Sequence, residues 1–292
     1  MAARLRVHHL SCGHFSPVFG RFIDGGKRPE GAPAMVCHCL LVETDEGLVL
    51  VDSGMGLEDV KAPAKRLGAA FVKAMGAQLH EEHTAARQVE RLGFKRENVR
   101  HIVLTHLDLD HAGGLSDFPH AKVHVYAQEL RAAHAPKTLG EKERYRPIQW
   151  AHGPDWAAYE TQGEKWFGFD CVRQLQGLPP ELVIVPLTGH SRGHAAVGVQ
   201  TEGGWRLHAG DSYFFHAEVN AEEPSCPAPL RLFQWAVQID AKARVENQAR
   251  LRELVRGHGE EVRVFSAHDR SELERMQALP QPLSEDRSRR VL

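Results

Sequence analysis

Between residues 105 and 114 the chain reads THLDLDHAGG, which places His106, Asp108, Asp110 and His111 within six positions, directly behind the apolar run HIVL. Imidazole nitrogen and carboxylate oxygen are the donors that hard and borderline divalent cations take. His106 and Asp108 are two apart, so in an extended loop both side chains leave the same side, and Asp110 and His111 follow one turn later. Three more residues of these types each stand a few positions after an apolar run: His190 in LTGHSRGH, Asp211 in LHAGDSY and His268 in VFSAHD. About seven protein donors, one of them a bridging carboxylate, suffice for two cations. Two cations about 3.5 to 4 Å apart share a water whose pKa falls toward ~7, so the chemistry indicated is hydrolysis by a hydroxide available at neutral pH.

The elements that must position these residues are legible in part. VCHCLLVETDEGLVLVDSGMG predicts two strands, 36 to 43 and 48 to 52, around the turn Asp45-Glu46-Gly47, with a glycine-rich loop beyond. Ala85, Val89 and Leu92 recur at helical spacing in 81 to 92, and Gly93 stops that helix. HIVLT then reads as a strand, KVHVYA (122 to 127) as another, and QELRAAH as a helix. LVIVPL (182 to 187) is a strand, and AAVGVQTEGGWRLHAGD is a hairpin turning at Gly203-Gly204. An amphipathic stretch, 240 to 256, carries Ala243, Val245, Leu251, Leu254 and Val255 ahead of the strand in EVRVFSAHD. Strands and helices alternate in both halves, which indicates a layered α/β fold.

Composition narrows the function classes. With 36 Lys and Arg against 38 Asp and Glu, the net charge of −2 gives no field to attract nucleic acid or an anionic membrane. No apolar run approaches the roughly 20 residues that cross a bilayer, and MAARLRVHHLSCGH lacks a signal-peptide core, so the cytoplasm is the expected location. Five scattered cysteines, at 12, 37, 39, 171 and 226, do not form a secreted disulfide framework. Cys37 and Cys39 share one strand face and read as small buried hydrophobes. His80 and His83 read as solvated.

From LLVETDEGLVLVDSG to FSAHD the chain resembles the metallo-β-lactamase superfamily, and within it the lactonase-like branch with HxHxDHAGG, GH(S/T)xGH, a GD after a strand and a late HD. The resemblance implies an αββα sandwich with metals at one edge between two sheets. It also implies that His106, Asp108 and His190 hold a first metal ion and Asp110, His111 and His268 a second, with Asp211 bridging. The expected cofactors are two divalent ions, zinc foremost. Asp108 departs from the common histidine; a diiron branch has glutamate at that place, and a carboxylate favours harder ions, so iron or manganese is open at the first site. Asp110 is expected to orient the hydroxide and handle its proton. Tyr213, two residues after the bridging aspartate, is either a substrate-contacting tyrosine or a buried aromatic. His194 is expected to be a structural hydrogen-bonder, and Asp52 a brace for the ligand loop.

The expected organisation is one domain over 1 to 280, with an aromatic-rich insertion at about 135 to 180 and a frayed tail at 281 to 292. The insertion concentrates Tyr145, Trp150, Trp156, Tyr159, Trp166, Phe167 and Phe169. Such a segment either folds as a mini-core or walls a pocket over the metals, which would suit a small-molecule substrate with an apolar portion. Arg144, Arg146 and Arg192 are open between anion binding and surface placement. The leading expectation is a metal-dependent hydrolase of a lactone or related ester. A thioesterase or glyoxalase II-like enzyme, a mononuclear iron oxygenase and a non-catalytic binding protein on the same scaffold are the alternatives, and a homodimer is open.

Overall fold

The hydrophobic pattern of the first half builds a meander that turns into parallel pairing. Strands β1 (Arg6–Phe15), β2 (Met35–Thr44) and β3 (Gly47–Val51) pair antiparallel, and the short β4 (Ala77–Gln78) closes the outer side of β1. Strands β5 (Val99–Val103), β6 (Lys122–Tyr126) and β7 (Asp155–Tyr159) then add in parallel, giving the order β4-β1-β2-β3-β5-β6-β7. A two-stranded ribbon, β8 (Lys165–Trp166) with β9 (Phe169–Asp170), leads to a second sheet of β10 (Leu182–Pro186), β11 (Ala195–Thr201), β12 (Gly204–His208) and β13 (Val262–Phe265). In this computed structural model the described residues are 5–18, 20–23, 28–161, 163–172 and 174–280, so the tail expected to fray lies outside them.

Helices α1 (Gly20–Ile23), α2 (Leu57–Lys61), α3 (Ala69–Met75), α4 (Ala85–Arg91), α5 (Ala127–His134) and α6 (Leu139–Arg144) belong to the first half. The second half contributes α7 (Ala228–Val237), α8 (Ala241–His258) and α9 (Arg270–Gln277). Among the described residues no helix is long and apolar enough to cross a membrane.

Period-2 alternation divides the apolar residues between layers. Val49 and Val51 of β3 face the second sheet and pack with Ile184, Val197 and Phe265, while Leu48 and Leu50 face outward onto Ala85, Ala86 and Val89 of α4. The outer face of the second sheet, with Val183, Leu207 and Val264, receives Leu251 and Leu254 of α8. The result is the expected helix–sheet–sheet–helix sandwich.

Three differences from the sequence reading have physical causes. β1 escaped prediction because its polar residues point inward: His9 Nδ1 lies 2.8 Å from His38 Nε2 between the sheets. Val245 of α8 is 51% exposed; Asn247 and Gln248 are the buried residues there, donating to the Thr188 and Ser212 carbonyls at 2.8 and 2.9 Å. The stretch 135 to 180, expected only as an aromatic-rich insertion, supplies α6, β7 and the ribbon.

Candidate metal centre

Every candidate ligand follows the end of a strand, where the chain leaves the sheets at one edge. The connection from β5 to β6 carries His106, Asp108, Asp110 and His111 in a loop with no α-helix, only a 3-10 turn at Gly113–Asp117. That loop packs backbone to backbone on the residues after β3, and a Cβ on Gly113 would sit 2.1 Å from Asp59 Oδ2, so the HAGG glycines are packing requirements. His190 follows β10, Asp211 follows β12, and His268 follows β13.

Asp52 organises the loop from below. It sits at φ 56°, an uncommon conformation for a residue other than glycine, and its carboxylate accepts Thr105 N–H, Thr105 Oγ1–H and His111 Nδ1–H, each at 2.8 Å. Because the Thr105 hydroxyl hydrogen is committed to Asp52, Thr105 Oγ1 accepts from His106 Nδ1 at 2.9 Å. His268 Nδ1 donates to the Val36 carbonyl at 2.7 Å. In all three histidines the Nδ1 proton is therefore fixed and Nε2 faces the centre, the usual arrangement of supported metal-binding imidazoles.

Asp211 stands between two sets of these atoms. Its Oδ1 is 3.2 Å from His111 Nε2 and 3.1 Å from His268 Nε2, and His268 Nε2 is 3.6 Å from Asp110 Oδ2. Its Oδ2 is 3.4 Å from His190 Nε2 and 3.9 Å from His106 Nε2, and Asp108 Oδ2 is 3.0 and 3.5 Å from those same nitrogens. Four donors about 2.0 to 2.1 Å from a common cation would lie about 3.3 Å apart, so both spacings fit a cation cage. His106 Nε2, His111 Nε2 and Asp211 Oδ1 are buried with no hydrogen-bond partner. Orphaned buried polar atoms are costly unless something bonds them, and here all three converge on one place. The residues present thus fit a bound divalent cation, and Asp211 belongs to both the group with His106, Asp108 and His190 and the group with His111 and His268.

The electrostatics agree. Burial pushes the imidazoles down, yet the carboxylates Asp211, Asp52 and Asp110 outweigh it and hold His111 well above the usual histidine range. Asp211 raises His268 in the same way, and the imidazoles around Asp211 hold its carboxyl well below the usual range against burial. The carboxylates thus favour positive charge on the groups that face them. His190 is the exception, lowered to about 4 by burial and then by Arg144.

Three cores rather than a lid receive the insertion's aromatics, with Tyr159 packed against the one between the sheets. Tyr145 and Trp150 join the helix-side core of the first sheet, while Trp166 and Phe169 join the outer core of the second. α6 and the turn after it reach the site, where Gln149 Nε2 donates to the Leu109 carbonyl at 2.7 Å. Arg144 Nη1 donates to Asp108 at 3.0 Å (Oδ1) and 2.9 Å (Oδ2), and Arg144 Nη2 donates to the Val237 carbonyl. Arg192 pairs with Glu141 at 2.5 Å, and Arg146 donates to the Arg66 carbonyl at 3.1 Å. These arginines are committed to the protein, not to an anion or to bulk solvent. Tyr213 is not brought to the cluster either: it is fully buried in the core under α8 and α9, with its hydroxyl 3.0 Å from Glu272. His194 donates to the Leu187 carbonyl and accepts Asp211 N–H at 2.9 Å, bracing Asp211.

Several contributors carry no sequence signal. Glu129, fully buried at the start of α5, accepts from Leu107 N at 3.0 Å, Ser191 Oγ at 2.7 Å and Gly193 N at 3.0 Å, tying the two ligand loops together. A Cβ on Gly193 would lie 2.0 Å from Glu129 N, which explains the second glycine of GHSRGH. The Cys37 thiol lies 3.9 Å from Asp110 Oδ2. Phe214 stacks on His268 with centroids 5.1 Å apart and planes at 12°, and belongs to an apolar cluster with Phe15, Met35, Leu109 and Leu230 beside the ligands.

The sequence matches the Metallo-beta-lactamase superfamily over residues 32–225. It is 42% identical over 266 residues to a probable metallo-hydrolase of Mycobacterium tuberculosis, spanning 91% of this chain and 80% of that protein. An N-acyl homoserine lactonase of Bacillus thuringiensis is 25% identical over 164 residues, 56% of this chain and 58% of its own length. In solved structures, an N-acyl homoserine lactone hydrolase with N-hexanoyl-L-homoserine at its catalytic metal centre superposes with a TM-score of 0.68 at 21% identity, over 94% of this chain and 97% of that one. A dizinc quorum-quenching lactonase superposes with a TM-score of 0.59 at 14% identity, over 92% and 88%. At such identities these two superpositions show a common fold.

Proposed function

The chain belongs to the metallo-beta-lactamase superfamily, and from that premise we propose that it is a metal-dependent hydrolase that opens a lactone or cleaves a related carboxylic ester. The observation that carries this reading is the convergence of three orphaned buried atoms, His106 Nε2, His111 Nε2 and Asp211 Oδ1, beside an apolar wall. Ions bound there, zinc foremost with iron or manganese the alternatives at the first position, would supply an acidified water and a Lewis acid for a carbonyl. His106, Asp108 and His190 would hold the first, Asp110, His111 and His268 the second, and Asp211 both.

The protein's own residues do the rest. Asp110 Oδ2 lies 3.9 Å from the Cys37 thiol and 3.6 Å from His268 Nε2, with 12% of its side chain exposed, so its carboxylate would be placed both to hold the second ion and to accept the proton of an attacking water. Phe214 and Phe15 cover the face of His268 and exclude bulk water, which strengthens each polar interaction within. The same wall suits a substrate whose apolar portion lies beside its carbonyl. The relatives named as lactonases favour a lactone ring over an acyclic ester.

The test is a panel of acyl lactones, aryl esters and acyl thioesters, assayed before and after chelation and again after zinc is restored. Lactone turnover that exceeds the other two, is lost on chelation and returns with zinc is the expected result. Dominant thioester turnover, or turnover indifferent to the chelator, would overturn the proposal.

A further inference from the structure

Asp108 is the one ligand position whose residue type departs from the superfamily's histidine, and it is also the one whose carboxylate is shared with a buried cation. Arg144 closes α6 and grips both oxygens of Asp108 through Nη1, while its Nη2 is taken by the Val237 carbonyl at the end of α7. Its side chain is 7% exposed. With both terminal nitrogens engaged and the head group out of water, the guanidinium has no face to offer a substrate. It is a fixed positive charge beside the ligand cage. The backbone reinforces the pairing, for Asp108 and Tyr145 form an isolated antiparallel bridge.

An imidazole replaced by a carboxylate makes a cation cage one charge more negative, and a guanidinium at hydrogen-bond distance removes that excess. We propose that Asp108 and Arg144 act together as one neutral ligand unit, with Arg144 the positioning residue that cancels the added charge and restrains the carboxylate. Asp108 Oδ2 then remains the coordinating oxygen, 3.0 Å from His190 Nε2 and 3.5 Å from His106 Nε2. This rests on reading His106, Asp108, His190 and Asp211 as the first half of a metal centre. Neither partner is useful alone. Histidine at 108 would strand a buried guanidinium against a dication, and an uncharged residue at 144 would let Asp108 chelate with both oxygens.

The test is a double-mutant cycle read on metal binding: metal-free wild type, Asp108→His, Arg144→Met and the double variant are titrated calorimetrically with zinc. Wild type is expected to take two equivalents. Asp108→His, although it restores the common ligand, should bind the first-half ion about tenfold more weakly or worse. The double variant should return to within about threefold of wild type, a recovery that loss of packing could not produce. Arg144→Lys, which keeps the charge without the fork, should stay closer to wild type than Arg144→Met does. If Asp108→His does not fold, Asp108→Asn makes the same comparison. Two equivalents in wild type with additive effects would overturn the pairing alone, whereas no zinc in the wild type would overturn the half-site reading with it.

Discussion

In the second half of the cluster, His111 is oriented directly by Asp52, which reaches His106 of the first half through Thr105, and all of these groups come from the adjoining ends of β3 and β5. In the first half, Asp108 is oriented by an arginine 36 residues away, and the loop that carries His190 is tied in by Glu129 from a third element. Asp211 lies between the halves, with Oδ1 3.2 Å from His111 Nε2 and Oδ2 3.4 Å from His190 Nε2. A site assembled from neighbouring strand ends inherits its geometry from sheet register. One completed by α5 and α6 depends on tertiary docking, and the two should therefore fail differently when disturbed.

Removing the shared residue should abolish the distinction: Asp211→Ala is expected to lose most of both ions and about 10³-fold in turnover, measured by elemental analysis and steady-state assay, with circular dichroism unchanged. Retention of two ions would mean that Asp211 does not bridge. Asp52→Asn acts on the strand-end half. It should weaken binding of the second-half ion about 10- to 100-fold and of the first, reached through Thr105 and His106, by less, and an equal loss at both would erase the difference between them. Glu129→Gln attacks the docked half instead, since an amide nitrogen would face donors. A loss of about 1 to 3 kcal/mol in chemical denaturation, with the first-half ion released before the second, is the expected outcome. Tyr213→Phe lies outside both halves and should cost about 1 kcal/mol of stability with turnover unchanged; a fall in turnover would place its hydroxyl at the substrate.

The layers were legible because they rest on local pattern. The β2–β3 hairpin, the β11–β12 hairpin and the strands before each ligand appear close to their expected bounds. β1 and α7 went unread for opposite reasons. Inward-facing histidines hide the alternation of β1, and Leu232 and Trp235 of α7 lie 65% and 67% exposed, so its apolar residues do not mark a buried face. In the insertion a count of aromatics could not reveal that they divide among three separate cores.

The sequence by itself determined which residue types stand where the chain leaves each strand. Donor chemistry and strand periodicity are properties of short segments, so His106, Asp108, Asp110, His111, His190, Asp211 and His268 could be named without coordinates. Only the tertiary structure decided what Asp108 meets. Charge compensation depends on distance in space, and nothing in the spacing of 108 and 144 along the chain indicates that α6 folds back to set a guanidinium on that carboxylate.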